Sequence, residues 1–396
     1  MPTPQLAETF NFPYVMTIKE ISMQISDETI RNSYQVMRQK NRMRARDVAQ
    51  HLNITEGQLL AAHLTEQQTV THIEDSRQQS AVCVIRLSDY WLPLLQSLES
   101  LGSVMALTRN HACVHETIGV YRNISTRHDI GIVQGDVIEL RAFFNAWQYC
   151  FAVIEPSWVG SESQMESQYS LQFFDERGGA IHKVFMRHGS DLKRFYQIVN
   201  EFRHPVQRVL EFPRPAPRLA PVACTTENVD VRAFHLAWRN LNDTHEFFGL
   251  LTRFSISRIA ALRLAEPDFV QSLHLDQIES LLLRASEQKI PLMVFVANRG
   301  MLQIYSGMIS KAFSQARWLN ILDERFNLHL NLDGIHTLWL VKKPTQYGYV
   351  SSIEGFDDQG ELVVTFFGER ELDSPELESW RDLTETVARE AEECMH

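Results

Sequence analysis

Apolar and polar positions along the chain follow two different periods. Apolar residues spaced three and four positions apart predict helices, and this pattern occupies residues 33–64 (as two helices), 90–101, 232–251, 258–273 and 277–286. Elsewhere apolar and polar residues alternate, as in FNLHLNL, where Phe326, Leu328 and Leu330 fall on one face of a predicted strand. Turns at residues 298–300 and near Gly360 join such strands into hairpins. Helices segregated from hairpins predict an α+β fold with antiparallel sheets.

The second half of the chain repeats the first at a constant offset of 188 residues. The matched pairs are Met105 and Met293, Asn110 and Asn298, Gly119 and Gly307, Leu140 and Leu328, and Pro156 and Pro344. After Pro156 the register breaks at an insertion in the first copy, six residues long. A proline-rich run separates the copies and reads as a semi-rigid linker. We predict an N-terminal unit at 1–212, the linker at 213–225, a C-terminal unit at 226–396, and a ligand cleft between two similar halves.

Composition narrows the class of protein. The 396 residues carry a formal net charge of −11, which argues against broad binding to nucleic acid or acidic membranes. No signal peptide is apparent, and no apolar run approaches the roughly 20 residues of a spanning helix. The five cysteines are scattered and form no CxxC pair, so we expect neither a zinc ribbon nor covalent c-type haem attachment. These features predict a reduced, cytoplasmic protein.

Several common catalytic signatures are absent from the sequence. It contains no glycine fingerprint for dinucleotides, no phosphate loop, no GxSxG elbow and no HExxH motif. If the protein performs redox chemistry, its electrons must therefore come from an external reductant.

His245 is the first candidate for chemistry. It continues a helical face formed by Phe234, Trp238, Leu241 and Phe248, so we expect its ring to point inward with these side chains. A buried neutral imidazole is a good axial ligand for iron. It is also a common core residue, and the pattern alone favours that second interpretation.

Four cationic residues are candidates for binding an anion. Arg141 shares a strand face with Glu139, which is typical of a solvated surface pair, although it could instead line the cleft. Arg258 falls in the first turn of a helix, where a cation opposes the helix dipole unless it faces an anion. Lys343 and Arg370 could supply further positive charge, and for each of the four a plain surface position is the common alternative.

Two other patterns have alternatives of their own. His111, Cys113 and His115 alternate as on a strand, but residues two apart are about 6.7 Å apart, so one ion could not reach all three. A turn followed by a strand is favoured over a metal site. The basic run at 38–46 leads into a helical pair at 46–64, a shape that can read DNA. The acidic total favours an ordinary helical hairpin.

Six separate motifs, in order, resemble one family. They are LTRNHACVHE, VIELRAFFNAW, WRNLNDTHEFFGLL, VFVANRGMLQIYSG, WLNILDERFNLHL and KKPTQYGYVSS. Together they are similar to the cytoplasmic haemin-utilisation proteins of Gram-negative bacteria, the HemS/ChuS type, over about residues 33–380. The resemblance implies two α+β halves with large antiparallel sheets that hold non-covalent haem b (iron protoporphyrin IX) in the cleft.

The resemblance also implies roles for particular residues. His245, in DTHEFF, becomes the axial iron ligand, and Arg141, in IELRAFF, becomes the distal and catalytic arginine. Arg258, Phe295, Lys343 and Arg370 fall at propionate and pocket positions, and His115, in a VHE motif, at a second, weaker haem site. The chain departs from the family at Thr365 and Phe367, where glutamine and tyrosine are frequent, and at Thr244 and Glu246, where valine and glutamine are usual.

The implied function is haem-iron acquisition, with haem opened by means of an external electron donor. One alternative is a carrier that delivers haem to a separate haem oxygenase, and a haem-uptake permease is a further implied partner. A DNA-binding regulator is the least favoured of the three functions, because the chain is acidic.

Overall fold

The computed structural model describes residues 25–66, 82–156, 167–208, 210–213, 226, 229–371 and 374–394. The predicted linker at 213–225 and the insertion after Pro156 lie almost entirely outside these residues. The domain boundaries therefore remain predictions.

Side-chain caps mark the start of several helices in the described residues. Ser26, Thr55, Asp191, Asp230 and Ser257 each accept a hydrogen bond from a backbone N–H in the first turn of the helix that follows. The helices are α1 (Asp27–Asn41), α2 (Ala45–His51), α3 (Glu56–Ala61), α4 (Trp91–Ser97), α5 (Leu192–Glu201), α6 (Val231–Arg239), α7 (Glu246–Phe254), α8 (Arg258–Leu264), α9 (Gln277–Glu287) and α10 (Glu378–Cys394).

Three of the helical predictions need correction. The pattern at 33–64 was expected to form two helices, but it forms the end of α1 together with α2 and α3. The pattern at 232–251 breaks into α6 and α7, and that at 258–273 ends as α8 and is followed by a strand. In each case a turn lets the chain change direction while apolar residues on both sides of the turn remain buried. Apolar spacing alone does not reveal such a break.

The strands form two nine-stranded sheets in which every pairing is antiparallel. The strands of the first half are β1 (Cys83–Leu87), β2 (Val104–Arg109), β3 (Cys113–Gly119), β4 (Ser125–Arg127), β5 (Ile130–Gln134), β6 (Glu139–Phe143), β7 (Tyr149–Pro156), β8 (Ser167–Phe174) and β9 (Ala180–Met186). Those of the second half are β10 (Val270–Leu273), β11 (Leu292–Ala297), β12 (Met301–Gly307), β13 (Ala312–Gln315), β14 (Trp318–Leu322), β15 (Phe326–Asn331), β16 (Thr337–Thr345), β17 (Gly348–Phe356) and β18 (Leu362–Gly368). The predicted α+β fold with antiparallel sheets is confirmed.

The two halves exchange three strands. The first sheet has the order β1-β7-β8-β9-β2-β3-β15-β14-β13, and the second has the order β10-β16-β17-β18-β11-β12-β6-β5-β4. Each sheet therefore takes six strands from one half and three from the other. Strand periodicity predicts that these segments are strands, but it does not predict which sheet they join.

Two asparagines show the internal duplication at atomic detail. The side chain of Asn110 accepts hydrogen bonds from backbone N–H groups of its own turn and donates to the carbonyl of Ala297 in the other half. Asn298 does the same in its own turn and donates to the carbonyl of Arg109. Both residues and both acceptors are related by the offset of 188. The duplication thus appears as a two-fold arrangement of hydrogen bonds between the halves.

The sheets stack through their middle strands, with β11 against β2 and β3. The opposite face of the second sheet packs partly against α6–α8, in a cluster that includes Phe234, Trp238, Val341 and Phe356. This helical layer covers the β16 and β17 end of that face and reaches Leu362 at the start of β18, while β11 and β12 lie beyond the cluster. Beyond the cluster, side chains on this face such as Phe295 and Leu302 are only half-buried.

Candidate functional site

One face of the second sheet carries three of the predicted site residues. Residues paired directly across antiparallel strands point to the same side of a sheet. Phe295 on β11 pairs with Ile304 on β12, which pairs with Glu139 on β6, two residues from Arg141. We call this side of the second sheet the cleft face. Arg141 lies on it because β6 is one of the exchanged strands.

The same register extends the cleft face in the other direction. Phe295 pairs with Thr365 on β18, and Thr365 pairs with Glu354 on β17. Lys343 on β16 pairs with Val350, which shares a face with Glu354. Lys343 and Arg141 therefore lie on one continuous surface. Five strand spacings separate them, which amounts to about 24 Å.

The floor of the cleft is apolar and partly open. The rings of Phe295 and Phe367 lie 5.0 Å apart, and both side chains are half-buried. Met293 and Leu302 are half-buried on the same face. Thr365 is almost fully buried beside Phe295. Such a floor can accept the flat face of an apolar ring system.

His245 points outward, and the predicted inward orientation is wrong. The helical face predicted from Phe234 to Phe248 is interrupted, because α6 ends at Arg239 and α7 begins at Glu246. After the break, Phe247 becomes the buried residue, while the side chain of His245 is 75% exposed and Phe248 is also exposed. The structure therefore contradicts a core role for His245.

Asp243 fixes the orientation of the His245 ring. Its Oδ1 atom accepts hydrogen bonds from the backbone N of His245 at 2.8 Å and from Nδ1 at 2.7 Å. The backbone hydrogen bond is the largest of the effects that lower the pKa of Asp243. A carboxylate at Nδ1 favours the tautomer with its proton there, which leaves the lone pair on Nε2. Within the described residues Nε2 has no hydrogen-bond partner, so this atom is free to bind a metal.

Arg141 forms the predicted surface-type pair. Its Nη2 atom donates to Glu139 Oε1 at 2.8 Å, and Nη1 donates to the carbonyl of Leu140 at 3.0 Å. Both charged side chains are partly exposed, and such pairs contribute less than about 1 kcal/mol. Ile138 and Ala142 face the core, as the alternation predicts.

Arg258 faces an anion, as its place in the helix predicts, but the anion belongs to the protein. Ser257 caps α8, and the Arg258 guanidinium donates through Nε and Nη2 to the two carboxylate oxygens of Glu354, at 2.7 and 2.6 Å. Glu354 has no exposed surface. Its Oε1 atom also accepts from Lys343 Nζ at 2.8 Å and from the hydroxyl of Ser352 at 2.9 Å.

The electrostatics of this cluster follow from burial and pairing. Burial would raise the pKa of Glu354, but the charges of Arg258 and Lys343 outweigh it and hold that pKa well below its ordinary value. Burial lowers the pKa of Lys343 to about 8, although Glu354 opposes the shift. The ring of Phe247 lies 5.2 Å from the Arg258 guanidinium and 4.9 Å from Lys343 Nζ. Lys343 is thus a buried residue rather than an exposed one at a strand end.

Arg370 connects the end of β18 to the turn that holds His245. Its Nη2 atom lies 3.4 Å from the hydroxyl of Thr244, and its charge helps to lower the pKa of Asp243. Arg370 is half-buried. The structure thus brings Arg370 and His245 to the same edge of the cleft.

Two residues of this region were missed in the sequence. Glu354 lies in a strand where neighbouring positions are apolar or small, and an acidic residue at a predicted buried position was the available signal. Asp243 immediately precedes the THE sequence, two residues before the imidazole. Short-range acid–histidine spacing of this kind could have indicated its contact with His245.

The alternating His111, Cys113 and His115 do not form a metal site. His111 lies in the turn before β3 and faces Asp357 at 3.5 Å, whereas Cys113 and His115 are buried in the strand. No group of three metal-ligating side chains occurs among the described residues. The favoured interpretation, a turn followed by a strand, agrees with the placement of His111 before β3 and of Cys113 and His115 within it. His115 has no exposed surface and lies 5.0 Å from the ring of Phe326, so haem cannot reach it in this conformation.

Part of the basic run at 38–46 is directed inward. Arg38 pairs with the buried Glu155 at 3.0 Å, and Arg46 donates to the carbonyl of His111 at 2.8 Å. These contacts join α1 and α2 to the first sheet, and they occupy two of the cations that DNA binding would use. A search of the described helices for one long and apolar enough to span a bilayer finds none.

Fold and site together define a duplicated, two-sheet α+β protein with an aromatic cleft, an available imidazole and a cationic edge. A family model described as the haemin-degrading HemS.ChuX domain matches the chain twice, at residues 53–202 and 255–387. The chain belongs to this family. The two matches also correspond to the two copies of the internal repeat.

Relatives and solved structures match most of the chain. The haemin transport protein HemS of Yersinia enterocolitica is 32% identical over 340 residues, which are 85% of this chain and 91% of HemS. Holo-PhuS, a haem-binding protein from Pseudomonas aeruginosa, superposes with a TM-score of 0.81 at 35% identity, over 91% of this chain and 99% of PhuS. The haem-degrading enzyme ChuS of Escherichia coli O157:H7 superposes with a TM-score of 0.78 at 27% identity, with the same two coverages.

Proposed function

We propose that this protein binds non-covalent haem b in the cytoplasm as part of haem-iron acquisition, and that it opens the porphyrin with electrons from an external donor. The observation that carries the proposal is the Nε2 atom of His245, which is exposed and oriented by Asp243 at the edge of an aromatic floor. The names of the relatives, which include a haemin transport protein, a haem-binding protein and a haem-degrading enzyme, support the same ligand.

The cleft suits the chemistry of the proposed ligand. Haem is a flat apolar macrocycle with two carboxylates and an iron that accepts an imidazole nitrogen. Phe295 and Phe367 offer an apolar surface for the ring. Arg258 and Arg370 offer guanidinium groups at the cleft, and guanidinium is well suited to binding carboxylates. His245 would bind the iron through Nε2.

Arg141 is the proposed distal residue. It lies on the cleft face five strands from Lys343, whereas His245 belongs to the helical layer at the other end. Its pair with Glu139 is weak enough for the guanidinium to turn toward a bound ligand. There it would donate hydrogen bonds to a polar group on the side of the macrocycle away from His245. It would also stabilise negative charge that develops during ring opening. Thr365 and Phe367, on β18 three strand spacings from Arg141, add little polarity to the floor.

The first experiment is a haemin titration followed by absorption spectroscopy. Wild type should develop a Soret band typical of histidine-ligated haem, and His245→Ala should shift the band and weaken binding. His274→Ala is a matched control, because His274 is also exposed and also pairs with a nearby aspartate, Asp276. An unaltered spectrum for His245→Ala would exclude His245 as the ligand.

A second experiment separates degradation from transport. Haem-loaded protein is mixed with a reductant, and the Soret band, the released iron and the tetrapyrrole product are measured. Enzymatic opening predicts a defined product and liberated iron. Loss of the band without a tetrapyrrole product would indicate oxidative damage and contradict the enzymatic proposal.

A haem carrier is the second candidate function, favoured by the name of the relative HemS, a haemin transport protein. A carrier would use the same cleft and would deliver haem to a separate haem oxygenase. Transfer of intact haem to an apo-oxygenase, faster than simple dissociation, would support this alternative. A rate equal to that of dissociation would count against it.

A further inference from the structure

The buried carboxylate of Glu354 binds two cations of the proposed ligand site, Arg258 and Lys343. It accepts two hydrogen bonds from Arg258 and one from Lys343. Two cations and one carboxylate leave one net positive charge in the cluster. The two cations are not equivalent, because they differ in exposed fraction and in the number of N–H groups that have no partner within the cluster.

The geometry separates the roles of Arg258 and Lys343. The side chain of Lys343 is 3% exposed, and its Nζ atom already contacts Glu354 and Ser352. The side chain of Arg258 is 29% exposed. Its Nε and Nη2 atoms bind Glu354, while Nη1 has no hydrogen-bond partner among the described residues. Nη1 is therefore the Arg258 donor that remains for an incoming carboxylate.

We propose that Glu354 is a positioning residue that holds Arg258 with its Nη1 edge toward one carboxylate of the ligand, and that Lys343 acts as a buried support instead of a direct ligand contact. This inference rests on the proposed haem-binding function. In this inference the preference of the cleft for a ligand with free carboxylates depends on Arg258 directly and on Glu354 through its contact with Arg258.

The first half of the chain shows that the fold does not require this cluster. The strand position of Glu354 on β17 corresponds to Gln172 on β8. After the six-residue insertion the offset between the copies is 182, and it relates both this pair and their cross-strand neighbours, Thr365 and Lys183. Lys343 corresponds to Glu155. The first sheet therefore forms with a neutral residue at the position of Glu354 and a carboxylate at the position of Lys343. The first half forms a different buried cluster, in which Glu56 pairs with Arg109 and with Lys183 at 2.8 Å each, so the set of Arg258, Glu354 and Lys343 belongs to the half that carries the proposed site.

The test compares haemin with its dimethyl ester, which keeps the macrocycle and iron but lacks free carboxylates. We expect wild type to prefer haemin at least tenfold. Arg258→Met should lose most of this preference. Glu354→Gln should lose a similar share, although it does not touch the ligand, while Lys343→Met should retain most of it. General destabilisation would weaken both ligands equally, so the ratio of the two affinities reports positioning.

A second variant guards against a folding defect in Glu354→Gln, which leaves Lys343 buried without its carboxylate partner. Glu354→Gln combined with Lys343→Met removes both charges together and should also lose the haemin preference. The proposal would be overturned if Lys343→Met lost more of the preference than Glu354→Gln, or if Glu354→Gln bound haemin more tightly because a competing carboxylate had been removed.

The outcomes also separate this inference from the function on which it rests. If wild type gave no Soret band that depends on His245, the proposed function and the inference would both fail. A normal titration with His245-dependent ligation and a preference controlled by Lys343 would refute the inference alone.

Discussion

Replacing His115 with glutamine should reduce the sensitivity of the fold to acid. His115 lies between the sheets with no exposed surface, and burial lowers its pKa to about 3. Because this folded-state pKa is below the unfolded value, protons bind the unfolded chain more tightly. The stability contributed by the neutral ring is complete above about pH 6.5 and is lost as the pH falls toward 3.

The magnitude follows from the two pKa values. With a folded pKa of about 3 and an unfolded pKa of about 6.5, His115 should cost about 2 kcal/mol at pH 5 relative to pH 7.5. The duplication suggests glutamine as the replacement, because Gln303 occupies the corresponding position. Gln303 donates to the carbonyl of Ala106, which corresponds to the Val294 carbonyl that faces His115. Glutamine can therefore occupy this environment without titrating.

The assay is urea unfolding of wild type and His115→Gln at several pH values between 5 and 7.5. The difference in their unfolding free energies should change by about 2 kcal/mol over this range. Glu376, whose pKa burial raises to about 7, is present in both proteins and cancels in the difference. His182 is also present in both; burial lowers its pKa to about 3, with a smaller contribution from the charge of His115. The exposed His274→Gln is the control. Parallel pH dependences of His115→Gln and wild type would refute the reasoning.

Further predictions concern the halves and the site. Asn110→Ala and Asn298→Ala should each lower the unfolding free energy by about 2–4 kcal/mol in urea melts, because each removes several partly buried hydrogen bonds between and within the halves. A loss smaller than that of Asn242→Ala, at an exposed asparagine, would contradict this prediction. Asp243→Ala should weaken haemin binding about tenfold, measured by titration, because His245 loses the carboxylate that orients it. Arg141→Ala should leave haemin affinity within about threefold of wild type, since the pair it loses is a weak surface one, while changing how the bound spectrum responds to pH; a large loss of affinity would instead make Arg141 a binding residue.

The sequence predicts strands and hairpins better than it predicts which strands lie next to each other in a sheet. The alternation around Phe326 and the turn at 298–300 depend on local side-chain burial and local turn geometry, and both are present in the structure. The exchange of β4–β6 with β13–β15 depends on which sheet edge each hairpin meets, and periodicity contains no information about that choice. A fixed offset between two copies is equally consistent with exchanged and unexchanged strands.

The orientation of His245 could not be predicted because helical spacing was continued through a turn. Residues 240–244 keep the apolar spacing of α6 while the backbone leaves the helix. Arg258 shows the opposite case, since its unfavourable place at a helix N-terminus correctly predicts an anionic partner. The sequence did not identify that partner, because Glu354 is 96 residues away along the chain.

Strand exchange has a consequence for how the proposed site depends on both copies of the repeat. β6, which carries Arg141, completes the second sheet by pairing with β12 through Met301–Ile304. Without the first half, β12 would become an edge strand with unpaired backbone groups, and the cleft face would end at β12. His245, Arg258 and Phe295 come from the second copy, so that copy alone would keep the proposed iron ligand but lose the distal arginine and the strand that supports the floor. Joining the copies in one chain supplies both contributions in equal amounts, and the pairing of β6 with β12 fixes Arg141 beside Leu302 on the cleft face.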